Sequence, residues 1–127
     1  MNDVIKEWIA KADGDFGTAQ RELAVEGAAN FDAVCFHAQQ CIEKLMKAIL
    51  IAHGQVPPRT HDLIVLADLV ALRLPGWQWP VEELRFLSRA AVTFRYPGES
   101  AEREDGGEAV DIAARLRQDL IRRLFSL

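Results

Sequence analysis

The chain of 127 residues has little of what stabilises or localises a protein by covalent or membrane means. It has only two cysteines, Cys35 and Cys41. Six positions apart on one predicted helix, they point in different directions and cannot bridge to each other. They read as small buried apolar residues of a reducing compartment. No apolar run reaches the roughly 20 residues of a membrane span, and the opening MNDVIKEWIAKADGD is charged throughout, unlike a signal peptide. The expected location is the cytoplasm, with no membrane partner. Strand-type alternation and internal repeats are absent. So are a glycine-rich phosphate loop, an H-E-x-x-H helix, paired-cysteine metal spacing and a nucleophile elbow. His37 and Cys41, four apart, are two possible ligands and not a metal site, so neither metal nor cofactor is expected. A formal net charge of -4 excludes non-specific nucleic-acid binding by the whole surface but leaves room for a local basic patch.

What the chain does have is helical periodicity. Residues 31 to 54, FDAVCFHAQQCIEKLMKAILIAHG, are apolar around most of a helical circumference, with Val34, Ala38, Cys41, Leu45, Ala48 and Ala52 on one face. Phe31, Cys35, Ile42, Met46, Ile49 and Leu50 widen it. Such a helix sits centrally, with neighbours on more than one side. Its remaining strip, Asp32, Gln39, Gln40, Glu43, Lys44 and Lys47, predicts an accessible polar edge, the natural place for function.

Around this pillar the pattern predicts four more helices. The first is capped by Asn2 or Asp3, carries a stripe of Ile5, Trp8, Ile9, Ala12, Phe16, Ala19 and Leu23, and runs to about Glu26, with Gly27 as its terminating glycine. Asn30 caps the central helix, and Pro57 and Pro58 separate it from a third helix opened by Thr60, with Asp62 in its first turn. Trp77 and Trp79 in the PGWQWP loop read as a packed lid over one end. Pro80 starts a fourth helix with Leu84, Leu87, Ala91 and Phe94 inside, ended by Pro97. Residues 97 to 107, PGESAEREDGG, read as a mobile acidic loop, and a last helix begins near Glu108 with its arginines outside. The expected fold is all-α, a single-domain five-helix up-and-down bundle over residues 1–127.

In the fourth helix Arg85 and Arg89 have acidic neighbours and read as ordinary surface pairs. Arg95, between Phe94 and Tyr96 and directly before a Pro-Gly turn, reads as a phosphate contact, with Tyr96 placed to stack. Taken in order, Trp8 and Ala12, FHAQQCIEKLMKAIL at 36–50, PPRTHDL at 57–63 and FRYPGE at 94–99 resemble the HEPN (higher eukaryotes and prokaryotes nucleotide-binding) domain family across essentially the whole chain. The resemblance implies a helical bundle that forms a homodimer and pairs with a minimal nucleotidyltransferase in toxin-antitoxin systems.

Many HEPN domains are metal-independent ribonucleases with an Arg-x(4–6)-His motif. Here Ser100, Ala101 and Glu102 stand where the histidine would follow Arg95. Three readings stay open. In the first, a non-enzymatic module binds nucleotide or RNA phosphate, with Arg95 on phosphate, Tyr96 stacking, and Gln40, Glu43, Lys44 and Lys47 along the groove. In the second, a ribonuclease toxin uses Arg95 and a displaced base, His61. In the third, a structural interaction protein uses its polar strip only for assembly.

Overall fold

The computed structural model describes residues 1–127 and contains five helices and no strand: α1 (Asp3–Leu23), α2 (Phe31–Ala52), α3 (Leu63–Arg73), α4 (Val81–Thr93) and α5 (Arg103–Phe125). The architecture is the all-α, up-and-down bundle that the periodicity predicts. α2 packs against all four other helices. Its apolar side chains, among them Ile42, Leu45, Met46, Ile49 and Leu50, are almost wholly removed from water, each worth about 1.5–3 kcal/mol of transfer free energy. No helix is long and apolar enough to cross a membrane.

The ends of α2 follow from its sequence. The Asn30 side chain accepts from Ala33 N at 3.0 Å, satisfying an otherwise orphaned donor. At the other end Gly54 takes φ +77°, a left-handed turn open to glycine at no steric cost. The backbone of Gln55 then donates back to Leu50 O at 2.9 Å.

Four boundaries differ from expectation. α1 stops at Leu23 with Ala24 as its cap, and Gly27, at φ +90°, shapes the link. Glu22 accounts for the early stop, because its carboxylate takes the backbone N–H of Asn30 at 2.8 Å and fastens the link against the end of α1. α3 starts one residue after Asp62, which is its N-cap and accepts from Ile64 N at 2.9 Å. The Thr60 hydroxyl instead accepts from Asp62 N. α4 ends at Thr93, with Phe94 as its cap.

The largest change concerns residues 97–107. The loop ends at Ala101, and α5 begins at Arg103 under a capping box in which Glu102 and Asp105 bond each other's backbone. Gly106 is buried in α5, close to Leu23, Val34 and Phe31. Ala101 N donates to Asp32 at 2.7 Å, which pins the loop to the start of α2. Glu102, Glu104 and Asp105 are therefore helix-start residues, and Gly106 serves packing.

Trp77 and Trp79 stack on each other at 4.3 Å and pack against the core, as a lid should. The guanidinium of Arg123 covers Trp77 at 4.3 Å. Two other arginines of α5 fasten neighbouring helices: Arg115 makes a bidentate contact to Glu83 of α4, and Arg117 pairs with Asp13 of α1.

Candidate functional site

The polar residues of α2 divide between the interior and the surface. Gln39 and Glu43 are only 1% and 4% exposed, so the accessible polar edge expected of the sequence is in part a buried polar seam. A carboxylate there requires donors in place of water. Glu43 has them: Gln39 Nε2 at 3.1 Å, Gln40 Nε2 at 3.3 Å, His61 Nδ1 at 2.8 Å and Lys47 Nζ at 3.0 Å. Burial pushes its pKa up. The hydrogen bonds from Gln39, His61 and Lys47 outweigh that effect, and the carboxyl is held below its usual range.

This seam fixes His61. Its ring donates to Glu43, and its carbonyl accepts from Gln39 Nε2 at 2.9 Å. With Nδ1–H given to a carboxylate, Nε2 is the free nitrogen of an imidazole that is 73% exposed. The start of α3 is held from the far side as well, by Ser88 of α4, whose hydroxyl accepts from Leu63 N at 3.1 Å.

Two adjoining cavities share His61, Ser88 and Val92 and form a groove between the start of α3, α4 and α2. The inner one, about 290 Å³, is lined by Phe36, Gln39, Gln40 and Arg95 in addition. The outer one, about 590 Å³, adds Asp62, Ile64, Arg85, Arg89 and Thr93. Arg95 lies over the Phe36 ring at 5.5 Å. Arg85 pairs with Glu82 at 2.5 Å, as expected. Arg89 and Arg95 have no carboxylate partner; Glu83, six positions from Arg89 and so on another side of α4, pairs with Arg115 of α5.

The structure thus brings Arg95, His61 and Gln40 to one cavity, with Glu43 directly behind them. Lys47 is spent on Glu43 and its side chain is 12% exposed. Lys44 lies elsewhere. It pairs with Asp15 of α1 at 2.5 Å, beside His37, which also reaches Asp15 at 2.8 Å. A single turn of α2 separates Gln40 from Lys44, but the latter leans toward α1 and lines a different depression with Trp8 and Lys11. Tyr96 is 62% exposed just beyond the end of α4 and is not among the residues lining either groove cavity.

Sequence reasoning missed Phe36 and Ser88. A lone serine beside the buried stripe of Leu84, Leu87 and Ala91 was the available signal for the second. No three His, Cys, Asp or Glu side chains converge as a metal cage would need. Cys35 and Cys41 are free and buried, and burial pushes both thiols up to about 12, far from reactive thiolates.

The HEPN domain sequence model matches residues 5–124. The chain belongs to the HEPN domain family. Two solved structures share the HEPN fold seen here. TT1696 from Thermus thermophilus is 22% identical, with 95% of this chain and 98% of that one covered and a TM-score of 0.77. ST0689, an archaeal HEPN homologue, is 20% identical, with 94% and 96% covered and a TM-score of 0.68. At these identities the likeness concerns the fold. No curated protein matches the sequence. Within this HEPN domain the histidine that shares a cavity with Arg95 comes from the T-H-D-L start of α3, and not from α4 or α5.

Proposed function

We propose that this HEPN domain is a cytoplasmic binding module whose groove between α2, α3 and α4 holds the phosphate of a nucleotide or RNA. One observation carries the reading: two arginines without acid partners, Arg89 and Arg95, flank an oriented histidine in adjoining cavities. Guanidinium groups suit phosphate by charge and by their forked donors. The family resemblance supports a homodimer that pairs with a minimal nucleotidyltransferase. α3 supports an assembly too, being apolar around most of its circumference, Asp68 apart, while packing only on α2 and α4, which leaves Leu72 75% exposed.

Thermal melting tests the groove. ATP at about ten times its Kd adds about 1.4 kcal/mol by linkage, a rise in Tm of roughly 5 °C for a chain of this size. The rise should vanish in Arg95→Ala. An unchanged wild-type melting temperature at millimolar ATP rejects the module and leaves an assembly role.

A second reading has its own support. The 2.8 Å pair of buried Glu43 with exposed His61, in one cavity with Arg95, is the arrangement of an oriented general base beside a charge-stabilising arginine. On this reading the protein is a metal-independent ribonuclease toxin. Single-stranded RNA in EDTA should then be cut by the wild type and by neither Arg95→Ala nor His61→Ala.

A further inference from the structure

The buried seam beneath the groove has a direction. Gln39 Nε2 spends its two hydrogens on Glu43 Oε1 at 3.1 Å and on His61 O at 2.9 Å. Gln40 Nε2 spends its two on Gln39 Oε1 at 2.9 Å and on Glu43 Oε1 at 3.3 Å. An ionised carboxylate only accepts, so it forces the nitrogen end of each amide toward itself. Turning the Gln40 amide over would set its oxygen against two other acceptors, Glu43 Oε1 and Gln39 Oε1. Every amide donor is therefore consumed inside, and one amide atom is left over: Gln40 Oε1, an acceptor on a half-buried side chain that lines the inner cavity.

His61 obeys the same logic. Its Nδ1–H goes to Glu43, which leaves Nε2 as an acceptor in the neutral ring. The inner cavity thus has a floor of acceptors and, in Arg95, a cationic rim whose planar guanidinium offers a stacking face. A ligand matching both parts carries negative charge at one end and hydrogen-bond donors at the other.

We propose that Gln40 is the base-reading residue of this groove, and that the groove takes nucleotides whose base bears an exocyclic amino group, adenine or cytosine, over those with a carbonyl there. Glu43 is the positioning residue that keeps the Gln40 oxygen turned outward. The proposal rests on the phosphate-groove reading and names the ligand for it. An amino group donates to Gln40 Oε1, whereas a carbonyl at the same place sets acceptor against acceptor, and discrimination of about tenfold follows from one such exchange.

Calorimetric titration of the wild type with AMP, IMP, CMP, UMP and inorganic pyrophosphate tests it. AMP should bind about tenfold tighter than IMP, and CMP about tenfold tighter than UMP. In Gln40→Met, which keeps the length and helix propensity of the side chain, both ratios should fall to near one while pyrophosphate affinity stays within twofold. Glu43→Gln, whose amide can turn either end to Gln40, should narrow the ratios without abolishing pyrophosphate binding. Equal wild-type affinities for AMP and IMP, or a preference that persists in Gln40→Met, overturn the assignment of Gln40 while the phosphate groove stands. An unchanged ratio in Glu43→Gln overturns the positioning role. If neither pyrophosphate nor any nucleotide binds at millimolar concentration, the groove reading falls and this inference falls with it.

Discussion

Taking an ionised carboxylate out of water costs several kcal/mol unless donors replace its hydration, and Glu43 has four of them within 3.3 Å. Their joint effect holds its pKa below the ordinary 4.5. A carboxyl depressed on folding contributes stability that is fully present above the unfolded-state value and is lost as pH falls through the folded one. Glu43→Gln removes the charge but keeps the shape, and leaves Lys47 and His61 without their anion. The expected cost near neutral pH is about 3 kcal/mol, or roughly 10 °C in Tm. Urea denaturation from pH 7 down to pH 3 checks the sign. The gap between wild type and Glu43→Gln should stay constant until about pH 4.5 and close below it, because the wild type then loses what the variant never had. A gap independent of pH would mean that packing and not ionisation sets the cost.

At the scale of the element, the glycines of the helices separate two effects that share one residue type. Gly14 in α1 and Gly107 in α5 have nothing within 4 Å of an added methyl group, whereas at Gly106 that methyl would meet Leu23 Cδ1 and Val34 Cγ1 at 3.3 Å. Glycine inside a helix costs roughly 0.5–1 kcal/mol relative to alanine. Gly14→Ala and Gly107→Ala should each raise Tm by roughly 3 °C, while Gly106→Ala, where the propensity gain meets crowding, should gain less or lose. Thermal melts of the three variants decide it. The same glycines show where element boundaries were legible. Paired Gly106 and Gly107 amid acids resemble a loop by composition. The capping box of Glu102 and Asp105 overrides that by satisfying the first donors of α5, and the docking of Gly106 on α1 and α2 supplies a reason for glycine that no local pattern carries. The apolar stripes of α1, α2 and α4, by contrast, could be read directly, because burial imposes them residue by residue. The site was half legible. Arg95, Gln40, Glu43 and His61 stood out as polar residues in apolar or turn contexts, but that Lys44 leans to Asp15 while Glu43 turns inward depends on which neighbour each side of α2 meets, and that is tertiary information.

At the scale of the molecule, net charge and local charge oppose each other. The chain carries -4 overall, so on the proposed reading an anionic ligand is repelled at a distance and attracted where the unpartnered Arg89 and Arg95 line the groove. With a Debye length of about 8 Å at physiological salt, the distant acids are screened first and the groove's contacts persist. Pairs that fasten α5 to its neighbours, such as Arg115 with Glu83, keep those arginines out of the binding field by giving them partners of their own. Affinity for a short oligonucleotide should therefore fall with salt on a shallow slope that reflects a few phosphate contacts, not on the steep slope of a broadly basic protein. Arg89→Ala and Arg95→Ala should each flatten the plot of log K against log salt by about one contact, whereas Arg115→Ala, on α5 and outside the groove, should leave the slope unchanged. Fluorescence anisotropy between 50 and 300 mM salt measures it. If Arg115→Ala changes the slope as much as Arg95→Ala does, the attraction comes from the whole surface, and the two unpartnered arginines lose their claim to the phosphate.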